Sequence, residues 1–388
     1  MSALMNTYGT RSITLVKGEG PYVWDDQNRR YFDAISGIAV CGLGYSHPAV
    51  TKAISAQAET LIHCSNLYLI EPQKKLGQIL TEIAGMDEVF FSNSGAEANE
   101  AALKIARKFG QDRGISQPEV ITAQHSFHGR TMATLSATGN DKVKQGFYPL
   151  LDGFTHVAYN DIDAIKSAMN ENTVAVMVEP VQGEGGVNIP DEDYLIKLRE
   201  LCDQNNCLLI LDEIQSGNGR TGTYFAFEHQ GIRPDVLTTA KGLGNGVPIG
   251  ACLARGKAAK VLQPGNHGST FGGNPLATSA GLAVIEAVNT PNMLNRVGEL
   301  GDRILEGFTN QLQNCKHVHD IRGKGLMIGI ELTHECSDLV NQARNKGWLI
   351  NVTGGKVVRL LPPFIMTNEQ ADELVDDVSK LILAFTHS

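Results

Sequence analysis

Several features that mark particular protein classes are missing from this chain of 388 residues. It contains no block of lysine and arginine, and its formal net charge is −9, so nucleic acid is not expected as a main partner. No uninterrupted apolar stretch reaches the roughly 18 residues that suggest a membrane helix, so we expect no membrane partner. The N-terminal sequence lacks a basic flank followed by an apolar core, and no secretory signal is expected.

Cysteine is sparse, and its spacing suggests neither a disulfide framework nor a zinc site. The seven cysteines are odd in number and scattered, without a C-x-x-C pair. A reduced protein of the cytoplasm is the simplest interpretation of that distribution. The remaining composition is ordinary, because 42% hydrophobic and 19% charged residues are typical of a globular protein. The length suggests about two to three domains.

Apolar runs of strand length alternate with helical patterns in the middle of the chain. The successive segments are EVFF, EANEAALKIARKFG, EVITA, VAVMVEP, DYLIKLRELCDQNN, LLILDE, VLTTA and IGACLA. Strands that alternate with helices predict an α/β fold, with a mainly parallel sheet covered by helices on both faces. Ligands of such sheets bind beyond the carboxyl ends of the strands, where Ser94, His128, Glu179, Asp212 and Lys241 lie.

The pattern changes after about residue 285. A long amphipathic helix, the strand-like DIRGKGLMIGIEL, a further helix, VVRLLPP and a final helix from Glu369 predict a smaller α+β domain. We therefore divide the chain into a large domain at 51–285 and a small domain at 286–388. Residues 1–50, which include the hairpin-like YVWDDQNRRYFDA, are expected to pack with the small domain.

One carboxylate and one lysine follow two neighbouring apolar strands. Asp212 comes directly after LLIL, and Lys241 follows VLTTA and precedes the glycine-rich GLGNG. A carboxylate in that position is costly unless it meets a cation or hydrogen-bond donors. Pyridoxal phosphate needs an anion that keeps its ring nitrogen protonated and an amine that holds it as a Schiff base. The pair therefore predicts a pyridoxal-phosphate site with Asp212 as the anion and Lys241 as the amine.

Ser94, Gly95 and Ala96 stand where the strand EVFF turns into a helix. Acidic residues in its first turn and basic residues in its last favour that helix, and Gly110 is expected to cap its end. Small residues at a strand-to-helix turn expose backbone N–H groups to an anion. We interpret the turn as a phosphate cradle, although many helices begin in this way without a ligand.

The segment SFHGRT follows the strand EVITA and offers side chains for a flat ring and a carboxylate. Phe127 could stack on a ring, and Arg130 could bind a carboxylate through paired hydrogen bonds. His125 and His128 have an i, i+3 spacing that suggests metal ligands. No third ligand stands nearby in the sequence, so no metal is expected.

A different cofactor must be considered, because GNGRTG satisfies the dinucleotide-binding pattern G-x-G-x-x-G after a strand. That motif should open an apolar helix, and an acidic residue should end the next strand. Here TGTYFAFEH follows without a clear helical apolar face, and Asp235 precedes its strand. Binding of a nicotinamide dinucleotide is therefore disfavoured.

Taken together, the motifs resemble those of the class III aminotransferases, which have fold type I of the pyridoxal-phosphate enzymes. The segments that carry the likeness are NTYG, GIAVCGLGYSHP, SNLY with the following EP, NSGAEANEAALKIAR, FHGRT, VEPVQGEGGV, LDEIQSGNGRTG, AKGLGNG, HGSTFGGNP, IRGKGLMIG and VRLLPP. They span nearly the whole chain. The resemblance implies a pyridoxal-phosphate-dependent transaminase with a ping-pong mechanism, whose large domain binds the cofactor.

The resemblance implies roles for residues around the cofactor ring. Lys241 would bind the cofactor covalently, and Asp212 would pair with the ring nitrogen. Ile214 and Phe127 would enclose the ring, and Gln215 would approach its hydroxyl group.

The resemblance also implies a shared site in a homodimer. Ser94, Gly95 and Ala96 would hold the phosphate within one chain. Thr270 would reach the same phosphate from the neighbouring subunit, with Ser269 beside the substrate. An obligate homodimer follows from that arrangement.

Within the class, GIAV, SNLY and HGSTFGGNP are most similar to the branch that acts on N2-acetylornithine. This likeness implies transfer of the δ-amine to 2-oxoglutarate, giving N-acetylglutamate 5-semialdehyde and glutamate in arginine biosynthesis. Alternative donors are succinyl-diaminopimelate, succinylornithine, ornithine and 4-aminobutyrate. A non-catalytic regulator fused to a DNA-binding module is another alternative, but the negative net charge argues against it.

The same resemblance implies how two substrates share one pocket. Arg359 and Glu184 would by default lie at the surface. By resemblance, Arg130 binds the α-carboxylate of acetylornithine and Arg359 that of 2-oxoglutarate or glutamate. Glu184 would pair with Arg359 during the first half-reaction. Recognition of the acyl group is expected at four further residues: Tyr8, Asn66, Leu67 and Tyr68.

Overall fold

The structure, a computed structural model, describes residues 3–9 and 11–386 of the chain. Its strands are Leu15–Glu19 (β1), Tyr22–Asp25 (β2), Arg30–Asp33 (β3), Glu88–Ser92 (β4), Glu119–Ala123 (β5), Phe154–Val157 (β6), Thr173–Val178 (β7), Leu208–Asp212 (β8), Val236–Thr239 (β9), Gly250–Ala254 (β10), Val318–Lys324 (β11), Met327–Leu332 (β12), Trp348–Leu349 (β13), Asn351–Thr353 (β14) and Val357–Leu360 (β15). Its α-helices are Ser36–Ala39 (α1), Pro48–Thr60 (α2), Glu71–Ala84 (α3), Gly95–Gln111 (α4), Met132–Ala137 (α5), Asp141–Lys144 (α6), Ile162–Ala168 (α7), Tyr194–Gln204 (α8), Pro275–Val288 (α9), Pro291–Leu312 (α10), Leu339–Asn345 (α11) and Asn368–Thr386 (α12). Short 3₁₀ helices cover Ala226–Gln230 and Lys241–Leu243.

A seven-stranded sheet forms the centre of the molecule, in the order β4-β10-β9-β8-β7-β5-β6. Its strands run parallel except β10, which is antiparallel to both β4 and β9. The predicted α/β fold with a mainly parallel sheet is therefore confirmed. Because the parallel strands end at one edge, the residues that follow them meet there.

Both faces of this sheet are buried, which explains the continuous apolar runs in its strands. Successive side chains of a strand point to opposite faces. Along β7, Val176 and Val178 join one large core that includes residues of α8. Ala175 and Met177 join a second core that includes residues of α4. The two cores are the interior of the predicted covered sheet.

Helix α4 begins at the predicted turn but does not end as predicted. The Oγ atom of Ser94 accepts a hydrogen bond from the N–H of Glu97 at 3.3 Å and caps the first turn. The prediction that Gly110 caps the helix is wrong, because α4 continues to Gln111. A Cβ at Gly110 would lie 2.6 Å from a methyl carbon of Val174, so glycine there permits close contact between helix and sheet.

A four-stranded sheet, β1-β2-β3-β13, joins the beginning of the described chain to its C-terminal part. The predicted hairpin is confirmed by the antiparallel pairing of β2 with β3. Strand β3 then pairs in parallel with β13, which lies in the C-terminal third. The domain boundaries near residues 50 and 285 stay predictions.

The C-terminal part contains a second four-stranded sheet, in the order β11-β12-β15-β14. The segment DIRGKGLMIGIEL forms two antiparallel strands, β11 and β12, where the sequence suggested a single strand-like stretch. Helix α10 buries the apolar face Val297, Leu300, Ile304 and Phe308, as its pattern predicts. In the described ranges, no helix has the length and apolar character needed to cross a bilayer.

Candidate active site

A cavity of about 360 Å³ opens beyond the carboxyl ends of the central strands. Ten of the residues proposed from the sequence line it: Ser94, Gly95, Ala96, Phe127, Arg130, Glu184, Asp212, Ile214, Gln215 and Lys241. These residues come from the loops after β4, β5, β7, β8 and β9. The fold thus brings Asp212 and Lys241 to one cavity, as a shared cofactor requires.

Asp212 is the last residue of β8, and both oxygens of its buried carboxylate make hydrogen bonds. Its Oδ2 accepts a hydrogen bond from Nδ2 of Asn99 at 2.8 Å and lies 2.8 Å from Nδ1 of His128. Its Oδ1 accepts one from the N–H of Ile214 at 3.1 Å. The hydroxyl of Thr238 donates to Oδ1 of Asn99 at 2.7 Å and orients that amide. The carboxylate is therefore held in one orientation at the cavity wall.

His128 and Glu179 surround Asp212 with further buried charge. Burial alone would lower the pKa of His128, but the hydrogen bond to Asp212 and its negative charge outweigh burial and raise this pKa. Burial raises the pKa of Glu179, whose carboxylate accepts hydrogen bonds from the N–H groups of Phe127 and Gly183 at 3.1 and 3.3 Å. The loop that carries Phe127 is thereby fixed to the end of β7.

The structure separates the two histidines that suggested a metal site. Nδ1 of His128 is engaged by Asp212, whereas His125 lines a different cavity. Across residues 3–9 and 11–386, no group of three or more histidine, cysteine or acidic side chains is arranged to hold a metal ion.

The N-terminus of α4 faces the cavity through Ser94, Gly95 and Ala96. The first N–H groups of a helix lack intrahelical acceptors and attract anions. A Cβ at Gly95 would lie 2.7 Å from the side chain of Ile214, so glycine lets this turn approach the loop after β8. Phe127 and Ile214 also line the cavity, so an aromatic ring between them would be enclosed by apolar groups.

Lys241 begins the short 3₁₀ helix after β9 and adopts a left-handed backbone conformation with φ 43°. Such a conformation is costly for a residue with a side chain and is often found at functional sites. Nδ2 of Asn218 donates to Oγ1 of Thr239 at 2.8 Å and to the carbonyl of Ala240 at 3.1 Å, which fixes the preceding backbone. Burial lowers the pKa of the Lys241 amine and so favours its neutral form.

Arg359 lies behind the cavity wall, on β15. Its side chain is only 1% exposed, and Nη1 lies 2.7 Å from Oε1 of Glu184. Nη1 is also 3.4 Å from Oε1 of Gln215, and Nη2 donates to Oδ1 of Asn351 at 2.8 Å. Burial would raise the pKa of Glu184, but the charge of Arg359 outweighs burial and lowers it. Glu184 and Gln215 thus cover a charged arginine that does not itself line the cavity.

The remaining residues proposed from the sequence lie outside this cavity. Asn66, Leu67, Ser269 and Thr270 line a separate open pocket, in which Nδ2 of Asn66 donates to the carbonyl of Ser269 at 3.0 Å. Nδ2 of Asn93, which lines the main cavity, lies 3.3 Å from Oγ of Ser269 and links the two regions. Tyr8 and Tyr68 are exposed. The roles of all six residues stay predictions.

Sequence reasoning missed three residues that orient the site: Asn99, Thr238 and Asn351. Asn99 lies on the buried face of α4 between Ala98 and Ala101, and a lone polar residue on an apolar helix face was a usable signal. Thr238 offered no such signal, because its partner Asn99 comes from a distant segment. Asn351 stands only eight residues before Arg359, but their contact depends on the register of β14 with β15.

Comparison with known proteins supports the same class. A family model described as aminotransferase class-III matches residues 5–382. The acetylornithine aminotransferase of Nitrosomonas europaea is 53% identical over 100% of this chain and 99% of its own length. That of Methanocaldococcus jannaschii is 47% identical over 97% of this chain and 95% of its own.

Solved structures agree with this chain over nearly its whole length. The ornithine aminotransferase of Toxoplasma gondii ME49 superposes with a TM-score of 0.95 at 34% identity, covering 98% of this chain and 93% of that one. The N-acetylornithine aminotransferase of Stenotrophomonas maltophilia K279a gives a TM-score of 0.86 at 35% identity and 98% coverage of both. The chain belongs to the class-III aminotransferases. It is a pyridoxal-phosphate-dependent transaminase with fold type I.

Proposed function

We propose that this aminotransferase transfers the δ-amine of N2-acetylornithine to 2-oxoglutarate, giving N-acetylglutamate 5-semialdehyde and glutamate. The observation that carries the proposal is the contrast between two arginines. Arg130 lines the cavity and is exposed, whereas Arg359 is buried behind Glu184. A site with one open and one covered arginine suits a donor with one carboxylate and an acceptor with two. The relatives named acetylornithine aminotransferase support this choice of donor.

The residues of the cavity fit pyridoxal phosphate. Asp212 supplies a buried carboxylate for the ring nitrogen, Phe127 and Ile214 supply apolar walls, and the start of α4 supplies N–H donors for the phosphate. Lys241 supplies the amine for covalent attachment. When bound, the cofactor withdraws the electron pair left when the substrate's C–H bond breaks.

Proton transfer falls to the side chain of Lys241. Its lowered pKa favours the neutral amine, which can accept the proton that leaves the δ-carbon of the donor. Asn99, His128 and Ile214 hold both oxygens of Asp212 in place, so its carboxylate is oriented for the ring nitrogen. The two groups therefore have separate tasks, one moving a proton and the other holding a charge in place.

Substrate selection is assigned to the two arginines. Arg130 binds the α-carboxylate of acetylornithine through charge-assisted hydrogen bonds. Glu184 neutralises Arg359 in this half-reaction, so the amine end of the donor need not carry a second carboxylate. For 2-oxoglutarate, Arg359 binds the α-carboxylate after Glu184 has moved away. Each charge-assisted hydrogen bond is worth roughly 1.5–3 kcal/mol, which is about one to two powers of ten in discrimination.

The active enzyme is proposed to be a homodimer whose partner chain completes each cavity. Thr270 is exposed and outside the cavity of its own chain, where it would be free to reach the partner's phosphate. Apolar side chains near it are open to solvent, with Leu67 of the same pocket 86% and the adjacent Phe271 58% exposed. Exposed apolar residues in one region typically mark an interface. Light scattering on the purified enzyme should give the mass of a dimer, and an active monomer would contradict this part of the proposal.

Steady-state rates with each candidate donor test the proposed substrate. We expect kcat/KM for N2-acetylornithine to exceed that for succinylornithine, succinyl-diaminopimelate, ornithine and 4-aminobutyrate, with 2-oxoglutarate as acceptor. Ornithine is the second candidate, because the T. gondii structure of highest similarity quoted above is an ornithine aminotransferase. A preference for ornithine would overturn the proposed donor. Arginine biosynthesis as its pathway follows from the donor, and the cytoplasm as its location stays a prediction.

A further inference from the structure

Asn351 and Arg359 are neighbours because of strand register. They lie directly opposite each other in the antiparallel pair β14–β15. On the other side of β15, the residue opposite Arg359 is Gly329 of β12. A Cβ at Gly329 would lie 3.1 Å from Val187, so no side chain from that strand competes for the guanidinium. Side chains of directly opposed residues are close enough to interact, and Asn351 is therefore supplied by the sheet itself.

The contacts of Arg359 differ in what they do to its charge. Glu184 neutralises it, whereas the amide of Asn351 accepts a hydrogen bond from Nη2 at 2.8 Å and leaves the positive charge in place. The contact with Gln215, at 3.4 Å, is long, and Nε of Arg359 is buried without a partner. Once Glu184 leaves, Asn351 provides the short hydrogen bond that still orients the guanidinium.

Glu184 has room to leave, whereas Arg359 does not. The side chain of Glu184 is 30% exposed, compared with 1% for Arg359. Glu184 also lines a second cavity of about 590 Å³, whose wall includes Lys142, Lys144 and Asp141. Two lysines against one aspartate give that wall a positive balance, which favours a displaced carboxylate. The moving part of this ion pair is therefore the glutamate.

The geometry points to Asn351 as a positioning residue that keeps Arg359 in one orientation through both half-reactions. Exchange of donor for acceptor then requires movement of Glu184 alone, and the acceptor's carboxylate meets a guanidinium that is already oriented. Preorganisation of this kind improves binding because less side-chain freedom is lost. The inference rests on the proposed role of Arg359 in acceptor binding. It predicts that Asn351 affects the dicarboxylate acceptor and not the donor.

Two substitutions in the holoenzyme test this inference. Asn351→Leu removes the acceptor atom but keeps a similar volume, and we expect it to raise KM for 2-oxoglutarate about tenfold. Asn351→Asp adds a carboxylate that the strand holds in place and that cannot move away as Glu184 does. We expect it to raise the same KM further, by about a hundredfold. In both variants KM for N2-acetylornithine should stay at the wild-type value.

Binding of glutarate, a dicarboxylate without a reactive carbonyl, gives a readout that does not depend on the donor. Its inhibition constant should rise in step with KM for 2-oxoglutarate in both variants. The matched control is Asn341→Leu, because Oδ1 of Asn341 accepts a hydrogen bond from Nη2 of Arg344 at 2.9 Å on an exposed face of α11. That variant should leave both KM values and the inhibition constant of glutarate unchanged.

The inference would be overturned if KM for 2-oxoglutarate and the inhibition constant of glutarate did not change in the Asn351 variants. It would also be overturned if KM for the donor and KM for the acceptor rose equally, because general loosening of the small sheet would have that effect. Failure of the proposed function can be distinguished from failure of this inference. If the proposed function fails, wild-type enzyme does not use N2-acetylornithine. The effect of the Asn351 substitutions on glutarate binding can then still be measured with the donor that the enzyme accepts.

Discussion

Two ion pairs at the wall of the cavity have similar distances and different environments. Asp212 and His128 are 2.8 Å apart, and Glu184 and Arg359 are 2.7 Å apart. Both members of the first pair are buried, and Asn99 and Ile214 hold the carboxylate from other sides. In the second pair one member is partly exposed beside a second cavity.

The two environments suit the roles proposed for the pairs: Asp212 with His128 is the fixed pair, and Glu184 with Arg359 is the mobile pair. A buried pair is costly to break when the remaining charge stays without a partner. Separating Asp212 from His128 would leave two enclosed charges. Separating Glu184 from Arg359 leaves one charge that can reach solvent and another that a substrate carboxylate can neutralise. The proposed cycle uses both kinds of pair, one beside the cofactor ring and one for the acceptor.

Lys241 lies within the electrostatic influence of both pairs, and its removal should have the largest effect. We expect Lys241→Ala to lower kcat more than about a thousandfold in both half-reactions, because it removes the amine that is proposed to move the proton. Reduction with borohydride followed by mass spectrometry should show the cofactor attached to the wild type and not to the variant. The exposed Lys104 provides the control, and Lys104→Ala should retain activity and attachment. A Lys241 variant with near-normal turnover would refute the assignment.

Removing charge from the fixed pair should have the next largest effect. Asp212→Asn should lower kcat roughly a hundredfold or more in both half-reactions alike, because the site loses a preorganised charge. The free energy of unfolding should fall by about 3–5 kcal/mol, since His128 loses its counter-charge. Stopped-flow absorbance measures the rates of the half-reactions, and denaturant titration measures the free energy of unfolding.

The matched control for Asp212 is Asp235, at the opposite end of the same strands. Its carboxylate pairs with Arg199 at 2.8 Å and accepts a hydrogen bond from the N–H of Leu209 at 2.8 Å. Asp235→Asn should cost similar stability and leave kcat unchanged. If it lowered kcat as strongly, the effect at Asp212 would reflect general destabilisation.

Removing charge from the mobile pair should change selectivity more than rate. In Glu184→Gln, Arg359 is no longer neutralised before the acceptor arrives, so glutamate should compete better with N2-acetylornithine. We expect discrimination between these two donors, measured as the ratio of kcat/KM values, to fall about ten- to a hundredfold. Glu331→Gln, which disrupts the pair with Arg322 at 2.6 Å outside the cavity, should not change the ratio. An unchanged ratio in Glu184→Gln would mean that Glu184 does not control Arg359.

The smallest expected effect is the pH dependence of the fixed pair. The folded-state pKa of His128 is raised, so its contribution to stability is fully present below about pH 6.5 and is lost as pH rises through the folded pKa. The difference in unfolding free energy between wild type and His128→Gln should therefore shrink as pH rises above about 6.5.

His156 provides a comparison of opposite sign. Burial, with the neighbouring charge of Lys144, lowers its pKa, so its neutral form is favoured in the folded state. Its contribution to stability is lost as pH falls, and the difference between wild type and His156→Gln should not shrink as pH rises over the same interval. Parallel curves for the two histidines would show that Asp212 does not control the charge of His128.

The elements that could be predicted from the sequence are those whose burial gives a regular pattern of apolar residues. Strands β7 and β8 are apolar apart from Thr173 and Asp212 at their ends, because both faces are buried. Helix α4 has a clear buried face and an N-terminal cap. Strand β6 was missed because it is a short strand at the edge of the sheet with a mixed sequence, FTHV. Helix α9 was missed because most of its residues are buried, which removes the polar face that reveals a helix.

Candidate site residues were predictable where position alone brings them to the carboxyl edge of the sheet. Asp212 and Lys241 follow their strands directly, so the parallel topology was enough to place both beside one cavity. The extent to which Arg359 is covered was not predictable from its own strand. It depends on Glu184 and Gln215, which follow β7 and β8, and on a cross-strand partner from β14.

By itself, the sequence determined which chemical groups stand at the ends of the strands, because apolar runs, glycine-rich turns and helix caps are local patterns. Only the tertiary structure decided which of those groups touch. Hydrogen bonds and charge interactions fall off within a few ångströms, so the pairing of Asn351 with Arg359 depends on strand register. The opposing pKa shifts of His128 and Lys241 likewise depend on contacts between segments, because Asp212 raises the pKa of His128 against burial, whereas burial lowers the pKa of Lys241.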